Sequence, residues 1–245
     1  MAHRVVLVTG AGGGIGRAVA RRFDEDVDSR LVLADLRRGP LEETAAALSG
    51  AKPLVWDGDL TDEVAVRALF ALIQDAYGRI DVAVNSAGIL RRTPFEEITK
   101  AEWDLVLSAN AGSAFLVCQA CCEPMRRQGS GRIINFASVA ALVGGILSGA
   151  HYAASKAAVI SLTRSVAKIL APHGVRCNVL APSGVDTEML AQFTSEQKEA
   201  LCAGIPVGRF GTPEEIAGVV HWLASPAADY ITGQTIHVNG GAYLG

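Results

Sequence analysis

Charge and aromatic rings are both scarce in this sequence. Of its 245 residues only 19% are charged and 6% aromatic, and the net charge is −3. Without an excess of lysine and arginine there is no basic footprint, and no nucleic-acid partner is expected. Low charge beside 50% hydrophobic residues argues against disorder, because such a chain can bury a sizeable core. The five cysteines are odd in number and lack the spacing of a small disulfide framework, which predicts reduced thiols and a cytoplasmic protein. Cys118, Cys121 and Cys122 fall at i, i+3 and i+4 of a helical pattern with no histidine nearby. They read as helix-face thiols, and no metal site is expected. No signal-peptide h-region is found, since "VVLVTG" runs directly into glycines. One uncharged run, Ile133 to Ser155, is long enough for a membrane helix at 23 residues. Asn135, Ser138, Gly144, Gly145, Ser148, Gly149 and His151 interrupt it, so it reads as a strand, a loop and a helix start, and no membrane contact is expected.

Against these absences stands a regular alternation. Short runs rich in valine and isoleucine predict strands at Arg4–Thr9, Arg30–Asp35, Pro53–Trp56, Ile80–Asn85, Gly131–Ser138, Val175–Ala181 and Thr235–Asn239. They are continuous rather than alternating in polarity, as strands covered on both faces require. Helical patterns lie between them, near 15–24, 40–48, 62–77, 100–128, 151–171 and 213–224. Thr99-Lys-Ala-Glu102 predicts a capping box, and Thr212-Pro-Glu-Glu215 adds proline at the first helical position. The expectation is an α/β fold: a Rossmann-type, doubly wound parallel sheet of about seven strands with helices on both faces, in one domain over 1–245.

The loop Thr9-Gly-Ala-Gly-Gly-Gly-Ile-Gly16 follows the first strand and opens a helix. Its glycines allow a tight turn and close backbone approach, and the helix N-terminus presents N–H groups to phosphate. The second strand ends at Asp35, 19 residues past Gly16, where a carboxylate can accept hydrogen bonds from the adenosine ribose of a dinucleotide. No G-K-[ST] follows, which excludes a P-loop. Farther on, Tyr152 and Lys156 stand one helical turn apart in "HYAASKAA". On spacing alone this pair reads rather as a packing tyrosine beside a lysine whose stem crosses apolar surface.

With these motifs the whole chain resembles the short-chain dehydrogenase/reductase family. The T-G-x-x-x-G-x-G loop supplies Gly10, Gly14, Ile15 and Gly16, and the family's N-N-A-G motif is matched by Asn85-Ser86-Ala87-Gly88. The resemblance implies that Asp59 and Leu60 frame the adenine. It implies that Asn178, Pro182, Val185 and Thr187 belong to the segment holding the nicotinamide end, and that Asn110, Ser138, Tyr152 and Lys156 are the catalytic set, with Tyr152 and Lys156 also touching cofactor. Two departures stand out. The family's Pro-Gly pair is Pro182-Ser183 here, and Ser138 and Tyr152 are fourteen apart, one more than is common in the family, in a run "LVGGILSG" that shapes the substrate pocket.

The chemistry explains these residue types. Hydride transfer at an alcohol carbon also requires a proton to move at its oxygen. A free phenol, with pKa near 10, is a poor base, and a neighbouring ammonium lowers it. The resemblance gives Ser138 the substrate oxygen and Asn110 a water leading from Lys156 to solvent, while an asparagine satisfied by backbone remains an alternative. The expected cofactor is NAD rather than NADP, because Asp35 would repel the additional phosphate. The expected partner is a small alcohol or ketone, taken under a segment at about 187–210, and a homotetramer is implied. Three alternatives stay open: an NADPH-dependent 3-oxoacyl carrier-protein reductase, a dihydrodiol dehydrogenase, which "AGILR", "GVRCNV" and the C-terminal "LG" resemble, and a non-catalytic dinucleotide sensor. Arg91 and Arg92 would suit an acidic substrate or simply be solvated.

Overall fold

The computed structural model describes residues 3–145 and 147–245. Seven parallel strands form one sheet: β1 (Arg4–Thr9), β2 (Ser29–Asp35), β3 (Leu54–Asp57), β4 (Val82–Asn85), β5 (Gly131–Phe136), β6 (Val175–Pro182) and β7 (Thr235–Val238), in the order 3-2-1-4-5-6-7. The strand order reverses between β1 and β4, so the carboxyl ends of these two strands diverge into a crevice.

Strand composition follows from burial on both faces. In β1, Val6 and Val8 join Phe23, Leu33, Ile216 and Leu223 in one core, while Val5 and Leu7 join Leu69, Ile73, Cys118 and Leu170 in the other. The two-residue period of the strand deals alternate side chains to the two layers. The helices α1 (Gly14–Asp24), α2 (Arg38–Ala46) and α9 (Pro213–Leu223) cover the first layer; α3 (Glu63–Tyr77), α5 (Ser113–Gln128) and α7 (Ala150–Leu170) cover the second.

Three expectations need correction. The helix over 100–128 is interrupted: α4 (Lys100–Leu107) passes through a π turn at Ser108–Gly112 before α5. The wider turn carries Asn110 inward, where its side chain bonds to a neighbouring loop rather than continuing a regular helical face. Two helices went unread, α6 (Ala140–Val143) and α8 (Ser195–Ala203). Finally, Thr99 caps α4 by accepting from Glu102 N–H, but the Glu102 carboxylate does not return to complete a box. It accepts from Thr93 Oγ1 at 2.7 Å and lies 3.4 Å from Nε2 of the buried His151. The Thr212–Glu215 box is complete.

By length and composition, Lys100–Gln128 is the one described helical stretch long and apolar enough to cross a bilayer. In the fold Val117, Cys118, Cys121 and Met125 pack its α5 portion against the sheet. All five cysteines are free thiols, with Cys118, Cys121 and Cys177 buried; burial raises the Cys121 and Cys177 pKa values well above the usual thiol value, in Cys177 behind the contact with Cys118.

Candidate active site

The crevice at the β1/β4 reversal is a cleft of about 480 Å³ lined by the glycine loop, the ends of β2 and β4, and the turn after β6. Glycine is required here by contact. A Cβ on Gly16 would stand 2.2 Å from the Gly10 carbonyl oxygen, and one on Gly10 would stand 2.9 Å from the Ala87 backbone, with φ of Gly10 at +66°. Thr9 draws the two strand ends together: its carbonyl accepts from Ser86 Oγ at 2.6 Å, and its hydroxyl accepts from Ala87 N–H at 3.2 Å. Ser86, the departure from the family's N-N-A-G pattern, is therefore used as a tie. The first turn of α1 holds no acidic residue, and its N-cap Gly13 offers no side chain, so the N–H groups at this terminus face the cleft without a local cap.

At the end of β2, Asp35 accepts from Gly12 N–H (3.1 Å) and Arg37 N–H (3.2 Å), which points its carboxylate at the cleft floor. Leu36 beside it is largely exposed. Arg38 is committed elsewhere, to Glu42 and Asp57 at 2.8 and 2.9 Å. Asp59 accepts from the backbone and hydroxyl of Thr61, each at 2.8 Å, and thereby shapes the turn that carries Leu60 along the cleft wall. Gly14, Ile15, Ala87, Gly88, Val185 and Thr187 also line it.

Not every expected cofactor residue reaches this cleft. Asn85 turns into the protein, donating to Asn135 Oδ1 at 2.8 Å, and Asn135 in turn donates to Thr163 Oγ1 at 2.9 Å. The strand period places Asn85 on the covered face, so Ser86, Ala87 and Gly88 form the wall instead. Asn178 bonds the Ile231 carbonyl and Gln234 N–H, fastening β6 to the turn before β7. Pro182 is buried at the end of β6, and its carbonyl accepts from Val139 N–H at 2.9 Å. Ser183 costs no backbone strain in place of the family's glycine, since among the described residues only glycines have positive φ; its hydroxyl donates to the Asn239 carbonyl at 3.0 Å.

Of the expected catalytic set, Asn110 and Lys156 lie behind Gly88 on the wall of this crevice, and Lys156 lies near Tyr152, which contacts Ser138; none of the four is among the residues that line the cleft itself. The Lys156 ammonium, buried, donates to the Phe136 carbonyl at 2.9 Å and lies 5.8 Å from the centre of the Tyr152 ring. Burial lowers its pKa to about 8. Burial also raises the Tyr152 phenol above its ordinary value, and contact with the Ser138 hydroxyl pulls the other way. Ser138 Oγ accepts from Ala140 N–H, starting the short α6. Asn110 is backbone-satisfied: it accepts from Ile89 N–H at 2.7 Å and donates to the Ile89 carbonyl at 3.0 Å and to Ser155 Oγ at 2.9 Å. A Cβ on Gly88 would come within 2.7 Å of Asn110 Oδ1 and 3.4 Å of Lys156 Nζ, so glycine there lets the β4 loop close over both.

Sequence reasoning missed two residues that tie loops together beside this cleft. Arg92 is neither solvated nor free for an acidic substrate. It donates to the carbonyls of Leu147 (3.1 Å) and Gln192 and to the side chain of Gln197 (2.7 Å), and its guanidinium stacks 4.0 Å over the Phe193 ring. It thus clasps the 147–149 loop to the segment 188–203, which is a 3₁₀ turn (Glu188–Gln192) followed by α8. Ile146 of the "LVGGILSG" run lies outside the described residues. Glu188, directly after Thr187, accepts from Gly14 N–H at 3.1 Å and places a carboxylate on the glycine loop. That an anion rests there, on a loop too tight for any side chain, fits this terminus to the diphosphate of a dinucleotide. Among the described residues no group of three or more histidine, cysteine, aspartate or glutamate side chains is placed to hold a metal ion.

Comparison with known proteins agrees with this fold. A family model described as Enoyl-(Acyl carrier protein) reductase matches residues 10–243. The 3-oxoacyl-(acyl-carrier-protein) reductase FabG of Vibrio cholerae is 38% identical over 250 residues, covering 98% of both chains. Nodulation protein G of Azospirillum brasilense is 38% identical, again over 98% of each. Among solved structures, gox2181 superposes with a TM-score of 0.94 at 32% identity, covering 99% of this chain and 96% of the other. A protein of Brucella melitensis titled short-chain dehydrogenase/reductase, glucose/ribitol dehydrogenase, gives 0.92 at 35% identity, covering 100% and 98%.

Proposed function

Since the chain belongs to the short-chain dehydrogenase/reductase family and is an oxidoreductase of that family, we propose that it interconverts a secondary alcohol and a ketone with NAD(H). The observation that carries this reading is the grouping of Tyr152, Lys156 and Ser138, with Lys156 directly behind the Gly88 wall of the cleft that Asp35 also lines. When bound, the nicotinamide supplies or accepts the hydride. The protein's own residues handle the proton. In the oxidative direction Tyr152, as phenolate, takes the proton of the substrate hydroxyl while hydride leaves the carbon; in the reductive direction it returns that proton to the carbonyl oxygen. Ser138 donates to the same oxygen and orients it. Lys156, desolvated so that its charge is felt strongly, favours the phenolate and holds the nicotinamide ribose. Asn110 fixes the Ile89 backbone and Ser155, which keeps the β4 loop and α7 in register beneath the site. Gly10, Gly14, Ile15, Gly16, Asp35, Asp59, Leu60, Ala87, Gly88, Val185 and Thr187 would hold the dinucleotide.

A second reading concerns substrate and cofactor together. Relatives named 3-oxoacyl-(acyl-carrier-protein) reductase at 38% identity favour a 3-oxoacyl thioester reduced by NADPH. Asp35 favours NAD instead. A non-catalytic sensor has no use for the four gathered side chains. A cytoplasmic homotetramer completes the proposal.

Assaying secondary alcohols, sugars, dihydrodiols and a 3-oxoacyl thioester with both cofactors, by nicotinamide absorbance, separates these readings. Tyr152→Phe should abolish turnover on the best substrate and leave cofactor affinity within about twofold, because only the hydroxyl is lost. Retention of most activity would remove Tyr152 from the mechanism.

A further inference from the structure

The Glu188 carboxylate stands on the glycine loop with no cation to balance it. It accepts from Gly14 N–H at 3.1 Å, and both its oxygens lie 3.7 Å from where a Cβ on Gly13 would be. Among the described residues no lysine, arginine or histidine pairs with it within 4.0 Å. Of the two arginines that line the small cleft beside it, Arg17 is spent on the Gly12 carbonyl, Thr44 and Glu43, and Arg21 makes no ion pair with it. What holds Glu188 is the partial positive charge of the α1 N-terminus, the same feature that would hold a diphosphate.

Two anions cannot share these N–H groups. We infer that Glu188 is an internal competitor for the diphosphate of the dinucleotide, occupying its cradle until the cofactor displaces it. This rests on the dinucleotide reading of the cleft and extends it. The residue belongs to a short span fastened at both ends. Asp186 N–H donates to the Gly211 carbonyl at 2.9 Å on one side, and the Gln192 carbonyl accepts from Arg92 on the other. Between these anchors the Glu188–Gln192 turn forms the inner edge of the substrate segment. Departure of the cofactor is assisted in return, since Glu188 re-caps the N–H groups that the diphosphate leaves.

The test is equilibrium binding, by titration calorimetry, of ADP-ribose and of adenosine to the wild type, Glu188→Gln and Glu188→Ala. Glu188 is exposed, so neither substitution disturbs the core. Glu188→Gln should bind ADP-ribose about three- to tenfold more tightly than wild type, the range expected for removing a carboxylate from a helix N-terminus. Glu188→Ala should do the same, and adenosine, which has no phosphate, should bind all three proteins equally. Unchanged or weaker ADP-ribose binding by Glu188→Gln overturns the inference, as does equal tightening for adenosine. Wild-type protein that binds neither compound would instead overturn the dinucleotide reading itself.

Discussion

Lys156 Nζ donates to the carbonyl oxygen of Phe136 at 2.9 Å, which places a buried ammonium at the end of β5 with a single fixed acceptor. One acceptor does not replace the hydration of an ammonium, so its pKa falls from 10.5 to about 8. The consequence for stability has a definite sign. Below pH 8 the lysine is protonated in folded and unfolded chains alike, and the folded state bears the full cost of burying the charge. Between pH 8 and 10.5 only the unfolded chain holds the proton, so this residue's cost declines as pH rises. Lys156→Met should exceed wild type in unfolding free energy at pH 7, by an amount of the order of 3 kcal/mol less the lost hydrogen bond. That difference should shrink toward pH 10.5. Denaturant unfolding of both proteins across this range checks it, and a pH-independent difference contradicts it.

Asp35 decides cofactor choice in the proposed function. A 2′-phosphate beside its carboxylate would set two like charges together in a partly desolvated site; among the described residues that line the cleft Arg37 is the one cation, and Arg38 is held by Glu42 and Asp57. Wild-type kcat/KM with NAD should exceed that with NADP by at least about tenfold, roughly 1.4 kcal/mol. Asp35→Ala should narrow or reverse the ratio. Equal efficiency in the wild type would deny Asp35 this role.

Arg92 clasps the 147–149 loop to the segment 188–203, which the proposed function places over the substrate. Arg92→Ala removes three donors and the stacking on Phe193, and should raise KM for substrate about tenfold or more while leaving NADH affinity nearly unchanged. Arg92→Lys should recover little, since an ammonium cannot reproduce a planar fork that spans three acceptors. Steady-state kinetics with a fluorescence titration of NADH separates the two effects. A loss confined to kcat would show that Arg92 does not act on substrate capture.

Assembly is testable by mass. Leu105 and Phe115 on α4 and α5 are about half exposed at 50% and 45%, and Ala157 and Ala158 on α7 are exposed with side chains small enough for close helix approach. These faces suit pairing with symmetry mates, and light scattering at micromolar concentration should give a tetramer. A monomer mass would refute it.

Much of this was legible in the chain itself. Continuous apolar runs such as Val5–Val8 announce strands covered on both sides, and their alternation with helices implies a parallel, doubly wound sheet; β1 and β2 form within one residue of the expected bounds. The crowding of glycine at 10–16 and the carboxylate at Asp35 likewise name a crevice and its selectivity, because backbone approach and charge are local properties. Helix α8 was legible too, in the unread Thr194-x-x-Gln197 capping box. Other features belong to the tertiary structure alone. Asn85 sits in a motif yet points away from the cleft, since strand register, not residue type, sets the face. The π turn at Asn110 exists because Ile89 and Ser155, distant in sequence, offer its amide better partners than a regular turn would. Arg92 and Glu188 look like ordinary surface charges until folding brings Gln192 to one and Gly14 to the other. A side chain's type is written in the sequence, but its partner is chosen by packing over separations of 100 and 174 residues.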